Sequence, residues 1–146
     1  MLQALRICLV VLGLSAVAIA FSILTLGAES TTSMAEGVFS AVSGRRGPPS
    51  EHWPATMDSE LRFYAALWGA YGVVALRTAR SLPKGLSRAP WLAATFFVGG
   101  AGRVLSRLND GAPHPFFTLL MLIELALPVL MILLWLGARA SLRRGS

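Results

Sequence analysis

The longest apolar run in the chain extends from Ile7 to Gly27 without a charged residue. As a helix rising 1.5 Å per residue, this run is long enough to cross the roughly 30 Å hydrocarbon core of a bilayer. The composition favours the same interpretation, because 55% of the 146 residues are hydrophobic and only 14% are charged, whereas soluble domains average about 25% charged residues. The run therefore predicts a membrane helix; the alternative is an unusually apolar soluble helical bundle.

The same run has a second interpretation. Arg6, the apolar stretch and "AIA" at 18–20 together resemble a signal peptide with a small-residue cleavage site. The apolar run continues past that site as "FSILTLG", which makes it longer than the apolar region of a typical signal. A retained helix is therefore favoured over a cleaved one, and the rest of the topology is the same in either case.

Three more apolar segments follow, and each has the length of a membrane helix. We predict an all-α, integral membrane bundle of four transmembrane helices, forming one domain over residues 1–146, with helices at about 7–27, 59–80, 90–108 and 115–138. Asp58 is expected to cap the second helix. Pro90 and Pro115 suit the first turns of the third and fourth helices, and "NDGAP" at 109–113 predicts a tight turn between those two.

The long loop at 28–58 admits two interpretations. "SMAE" at 33–36 fits a capping box, and apolar residues then recur at helical spacing up to Gly44. This pattern predicts a short helix lying on the membrane surface, and an ordinary ordered loop is the alternative. "GRRGPPS" at 44–50 is expected to form an exposed turn.

The distribution of Lys and Arg predicts the orientation. Eight of the 13 basic residues fall on the side that carries both termini: Arg6, Arg77, Arg80, Lys84, Arg88, Arg139, Arg143 and Arg144. Because cytoplasmic segments carry the excess of basic residues, both termini are predicted to be cytoplasmic, with the chain in the cell's inner (plasma) membrane. The basic residues flank apolar spans and show no aromatic–basic pattern, so nucleic acid is not an expected partner.

Two charged residues, Arg103 and Glu124, lie deepest in the predicted membrane segments. Arg103 is about six residues from the outer end of the third helix, and Glu124 lies near the middle of the fourth. A lone charge at such depth costs about 2.5–3.5 kcal/mol or more. Since a short turn joins the two helices, Arg103 and Glu124 are predicted to form a pair. Pro128 strengthens this prediction, because it removes the hydrogen-bond donor for the Glu124 carbonyl.

Helical spacing extends this pair into a predicted polar cluster. Arg107 shares a face with Arg103, while Glu60 and Tyr64 share a face of the second helix. Glu60, Tyr64, Arg103, Arg107 and Glu124 are therefore expected to collect in the outer half of the bundle as a candidate ligand site, with His114 at its rim. The alternative is an ion pair that only fixes helix register.

These segments resemble a bacterial family of small four-helix membrane proteins known as domain-of-unknown-function family 4345. The resemblance is carried by "DSELRFYAALWGAYG" at 58–72, "GGAGRVLSR" at 99–107, "GAPHPFF" at 111–117 and "ELALP" at 124–128. The first helix and its loop match in general character only. The resemblance implies the four-helix fold and the polar residues, and it implies no reaction, cofactor or ligand.

Three functional hypotheses remain. The first is a non-enzymatic membrane protein that binds a lipid or small amphiphile, or supports a membrane protein partner. The second is a proton-linked binding or transport subunit that uses Glu124, and the third is a membrane-embedded acid–base enzyme, ranked last because one positioned carboxyl is thin support for catalysis. No cofactor is predicted, because no phosphate loop or dinucleotide motif is present. The two distant histidines and the single Cys8 give no metal-ligand spacing.

Overall fold

The protein is almost entirely helical. A computed structural model describes residues 1–45 and 54–144. Over these residues the chain forms a short 3-10 turn at Leu86–Arg88 and the following α-helices: α1 Leu2–Leu26, α2 Ala28–Ser43, α3 Ala55–Arg80, α4 Ala89–Asp110 and α5 Pro115–Arg144. The predicted all-α class is confirmed.

The four predicted long helices are present as α1, α3, α4 and α5, but most of them extend beyond the predicted bounds. α1 begins at Leu2 rather than at residue 7, and α5 continues to Arg144 rather than ending at 138. The prediction placed helix ends where charged residues begin. A charged residue limits how far a segment enters lipid, but Arg is a good helix former and does not end the helix.

The loop between α1 and α3 contains a helix rather than an ordered loop alone. α2 begins at Ala28, five residues before the predicted capping box, because Gly27 at φ 88° ends α1 and the next helix starts directly after it. Gly44 ends α2 in the left-handed conformation at φ 68°, where the sequence predicts its end. The predicted exposed turn at 44–50 falls mostly outside the described residues.

The helices pack as two antiparallel pairs, α1 with α3 and α4 with α5, which meet mainly through α1 and α5. α1 and α3 approach each other at Gly13 and Gly72, where a Cβ added to Gly72 would lie 2.8 Å from the Gly13 carbonyl oxygen. Such close contact between small residues is typical of helices that associate in lipid. α2 contacts α1, α3 and α5.

The bundle has two distinct ends. We call the end that carries Arg6 and the α3–α4 connection the basic end, and the end that carries Gly27 and the α4–α5 turn the loop end. The apolar core lies nearer the basic end and comprises Leu5, Leu9, Leu12, Ala75, Ala79, Leu82, Ala89, Leu92, Ala93, Phe96, Met131 and Leu134. Towards the loop end, α4 has no buried residue after Gly100 and α5 has none before Pro128.

Two of the four predicted spans, α1 and α5, are long and apolar enough to cross a membrane. α3 and α4 have the length but less apolar character, because arginines lie in their last turns and further charged residues lie close to the apolar centre of each helix.

Candidate functional site: an ion pair between two helices

The central polar contact joins α4 to α5. Nε of Arg103 donates a hydrogen bond to Oε2 of Glu124 at 2.6 Å, so the predicted pair is confirmed as a contact. The Glu124 side chain is 12% exposed, whereas that of Arg103 is 40% exposed. The carboxylate is therefore held inside the helix pair, and the guanidinium reaches it from a more open position.

Gly100 explains why this contact forms at this level of the bundle. A Cβ at position 100 would lie 2.9 Å from Cβ of Glu124, so a larger residue there would push α4 away from α5. Arg103 follows Gly100 by three residues and therefore lies on the same face of α4. The close backbone approach places the arginine within hydrogen-bonding distance of the carboxylate.

Further residues surround the pair. The guanidinium carbon of Arg103 lies 5.6 Å from the centre of the Phe117 ring, within the range of a cation–π contact. Pro128 is buried in α5, four residues after Glu124, and the helix continues through it. The pair thus has the Phe117 ring on one side and Pro128, which has no backbone N–H to donate, one turn further along α5.

Arg107 makes a second polar link between α4 and α5, one turn nearer the loop end. Its Nη1 donates to Oγ1 of Thr118 at 3.1 Å, and this contact is exposed. Arg103 and Arg107 therefore both face α5, as their spacing predicts.

His114 lies at the start of α5 and is only 8% exposed. Its Nδ1 accepts a hydrogen bond from the backbone N–H of Phe116 at 3.2 Å, which satisfies one of the free donors at the beginning of the helix. The imidazole ring also meets the Phe39 ring edge-on, with the centroids 6.0 Å apart. His114 thus acts as a helix cap and as a contact between α2 and α5.

The structure does not bring Glu60 and Tyr64 to the pair. Glu60 is exposed, and Tyr64 is 57% exposed, with its ring against Phe63. The reason lies in how α3 packs: it lies along α1 and meets α4 through residues nearer the basic end, where the hydroxyl of Tyr71 donates to the Leu92 carbonyl at 2.9 Å. The shared face of Glu60 and Tyr64 therefore points away from the α4–α5 contact.

A second polar contact, which the sequence did not predict, joins three helices at the loop end. Oδ2 of Asp58 accepts a hydrogen bond from Nε of Arg62 at 2.7 Å, and Nη1 of Arg62 donates to the Leu24 carbonyl at 2.6 Å. Oδ1 of Asp58 accepts from the backbone N–H of Ala28 at 3.2 Å. Together these bonds satisfy a free carbonyl at the end of α1 and a free N–H at the start of α2.

The prediction that Asp58 caps the second of the four long helices, α3, is therefore wrong. α3 begins at Ala55, so Asp58 lies within its first turn and caps the neighbouring helix α2 instead. The hydrogen bond from Arg62 holds the pKa of Asp58 below its ordinary value, and the bond from Ala28 acts in the same direction. The i,i+4 spacing of Asp58 and Arg62 predicts an ion pair on the surface of one helix, but it does not predict that this pair also binds α1 and α2.

An open groove of about 470 Å³ lies at the loop end, where the end of α2 meets the α4–α5 turn. We call it the loop-end groove. Its lining includes Phe39, Ser43, Arg45, Arg107, Thr118, Leu119 and Leu122. Among the residues in 1–45 and 54–144, no three His, Cys, Asp or Glu side chains are grouped closely enough to hold a metal ion.

The fold and the polar pair together define a small helical protein with two helices that are long and apolar enough to cross a membrane and an ion pair between its last two helices. The sequence profile of the family described as "Domain of unknown function (DUF4345)" matches residues 4–136. The chain belongs to this family, and the match includes α1 and α2, where the sequence resembles the family only in general character. No curated protein and no solved structure matches the chain.

Proposed function

We propose that the protein is a non-enzymatic, four-span membrane protein that binds a lipid or small amphiphile in its loop-end half. Both termini are proposed to be cytoplasmic. The observation that carries the proposal is the distribution of burial: the apolar core fills the basic-end half, while the loop-end half of α4 and α5 carries an ion pair beside half-exposed apolar surface.

The exposed apolar surface supports placement in lipid. Only 28% of the most apolar window of α1 and 22% of that of α5 is buried within the protein. A core helix of a soluble protein would bury most of such a window, whereas a helix in a small membrane bundle exposes it to acyl chains. Large side chains such as Phe21, Val98 and Leu133 are each more than half exposed, and soluble monomers rarely expose apolar patches of this extent.

The alignment of α3 with α1 supports four spans rather than two. At the basic end, Nη2 of Arg6 donates to the Leu82 carbonyl at 3.1 Å, just beyond the end of α3. At the loop end, Arg62 reaches Leu24 near the end of α1. α3 therefore covers the same thickness as α1, and its 26 residues correspond to about 39 Å of helix. α4 pairs with α5 in the same way.

The charge distribution supports the orientation. Arg6, the α3–α4 connection and the end of α5 place the majority of the basic residues at the basic end. The positive-inside rule puts that end in the cytoplasm.

Amphiphile binding follows from the chemistry of the loop-end half. A guanidinium that is 40% exposed next to apolar surface offers a contact for an anionic or polar head, and the adjacent half-buried helices offer a contact for an apolar chain. No reaction is proposed, because Glu124 is engaged by Arg103 and His114 caps α5. Neither group is positioned as a free acid or base.

The position of Glu124 favours one second candidate, a proton-linked binding or transport subunit. The Glu124 side chain is 12% exposed and lies in the apolar first half of α5, and ionisable groups within apolar membrane helices often belong to proton relays. In that case Glu124→Gln should preserve folding and abolish a pH-dependent response to ligand. Under the first proposal the same variant loses stability, as described in the Discussion.

Two measurements test the main proposal. Alkaline phosphatase fusions after Gly44, after Lys84 and at the C-terminus report topology, and activity is expected only after Gly44. Activity at Lys84 would overturn the orientation. For binding, the chain is purified in a mild detergent beside an unrelated four-helix membrane protein, and the organic extracts of both are analysed by mass spectrometry. The proposal requires one lipid or amphiphile class to be enriched with this chain, and equal extracts refute it.

A further inference from the structure

The loop-end groove combines basic and apolar walls. Arg45, which follows α2, and Arg107, near the end of α4, both line it, together with the hydroxyl-bearing Ser43 and Thr118. Phe39 and Leu122 contribute apolar surface to the same groove. A surface of this composition fits a molecule that has both a polar head and an apolar chain.

The two arginines have unused hydrogen-bonding capacity. A guanidinium has five N–H donors, and Arg107 uses one of its side-chain donors for Thr118. Within the described part of the chain, the Arg45 side chain makes no hydrogen bond or ion pair. The described lining of the groove contains no carboxylate. The described lining therefore presents two positive charges and no negative one.

The order of the lining residues along α5 defines the direction in which an amphiphile fits. Thr118 lies close to the start of α5, and Leu122 lies four residues further on, about 6 Å towards the middle of the bundle. Arg107 lies three residues before the end of α4. The charged part of the groove is thus at the level of the helix ends, where headgroups lie in the proposed topology, and the apolar part points towards the acyl region.

We propose that the loop-end groove binds the phosphate of an anionic phospholipid, with Arg45 and Arg107 on the phosphate and Phe39 and Leu122 against the first part of an acyl chain. This inference rests on the proposed membrane function and names the ligand class and the site. A guanidinium binds phosphate through two parallel N–H···O bonds. A zwitterionic lipid fits less well, because its ammonium group would add a third positive charge where the described lining has no carboxylate.

The test compares lipids that differ only in the headgroup. The full chain in a mild detergent is titrated with phosphatidylglycerol and with phosphatidylcholine of identical acyl chains, and bound lipid is counted by native mass spectrometry. The wild-type chain should bind phosphatidylglycerol about tenfold more tightly, the equivalent of one good charge-assisted contact. Arg45→Gln and Arg107→Gln should each weaken phosphatidylglycerol binding more than phosphatidylcholine binding and so remove most of this preference.

Arg88→Gln is the matched control, because Arg88 is an exposed arginine at the basic end. An equal loss of preference in Arg88→Gln would show that overall charge, rather than the groove, selects the lipid, and would overturn the inference. Equal affinities of the wild-type chain for the two lipids would overturn it as well. Glycerol phosphate should compete weakly; competition as strong as that of the lipid would identify a soluble anion as the occupant.

A loss of lipid binding in these variants can be distinguished from a loss of folding. Among the described residues, the Arg45 side chain makes no hydrogen bond or ion pair that Arg45→Gln would remove, so this variant carries the test even if Arg107→Gln weakens the α4–α5 contact. If wild type and both variants retain the same enriched lipid, the proposed membrane function stands and this site is wrong. If no lipid is enriched at all, the proposed function fails first.

Discussion

Replacing Arg103 with glutamine should destabilise the protein more than replacing Glu124 does. Arg103→Gln removes the cation that faces Glu124, whose side chain is only 12% exposed. Glu124→Gln, in contrast, retains a side-chain oxygen that can accept the hydrogen bond from Nε of Arg103. The asymmetry follows from burial, because an unpaired charge costs more where solvent is scarce.

The magnitudes follow from the exposure of the two side chains. Breaking a fully buried pair costs about 3–5 kcal/mol and breaking an exposed pair costs about 0.2–1 kcal/mol. Arg103 is 40% exposed, so we expect an intermediate loss of about 2 kcal/mol for Arg103→Gln and about 1 kcal/mol for Glu124→Gln. The double variant should lose about 1.5 kcal/mol, which is less than the sum because the two residues are coupled.

The assay is unfolding in mixed micelles of mild detergent and sodium dodecyl sulfate, followed by tryptophan fluorescence. Trp68 is a suitable reporter because it stacks on Tyr71 at 4.9 Å in the packed bundle. Arg107→Gln is the control, since its exposed contact with Thr118 should contribute less than about 0.5 kcal/mol. If Arg103→Gln costs no more than this control, or if the two single losses simply add, the structural argument for the pair is wrong.

Two further predictions concern packing and pH. Gly72→Ala should lower the free energy of unfolding by about 1–3 kcal/mol in the same assay, because the new Cβ would lie 2.8 Å from a backbone oxygen of α1. Gly99→Ala is the control: a Cβ at position 99 would have no neighbouring atom within 4 Å, so this variant should be neutral or slightly stabilising. Asp58→Asn should lower stability at neutral pH. Because the hydrogen bond from Arg62 lowers the pKa of Asp58, the stabilisation is fully present above the ordinary value of 3.8 and is lost as pH falls through the lower folded-state value. The difference between wild type and Asp58→Asn should therefore shrink below about pH 4.

Equal losses for the alanine variants at positions 72 and 99 would contradict the close α1–α3 contact. A wild-type stability that stays parallel to that of Asp58→Asn down to strongly acidic pH would contradict the role of Asp58 in joining α1, α2 and α3.

Much of the candidate site follows from the sequence alone. The four long apolar segments predict α1, α3, α4 and α5, because each is too apolar and too long for a loop. The short turn at 109–113 makes α4 and α5 neighbours, so the two charges inside their apolar segments, Arg103 and Glu124, are constrained to meet. The αL conformation of Gly44 is likewise predicted locally, since glycine adopts it without a steric penalty.

Other features depended on how the helices pack. Helical spacing shows that Glu60 and Tyr64 share a face of α3, but only the α1–α3 contact decides that this face lies away from Arg103. The backbone N–H at the start of α2 is capped by Asp58, thirty residues further along the chain. The basic-end position of the core and the loop-end groove likewise arise from contacts between segments far apart in sequence. The periodicity of one helix determines which of its residues share a face, whereas the partner of that face is determined by the lowest free energy of all the helices together.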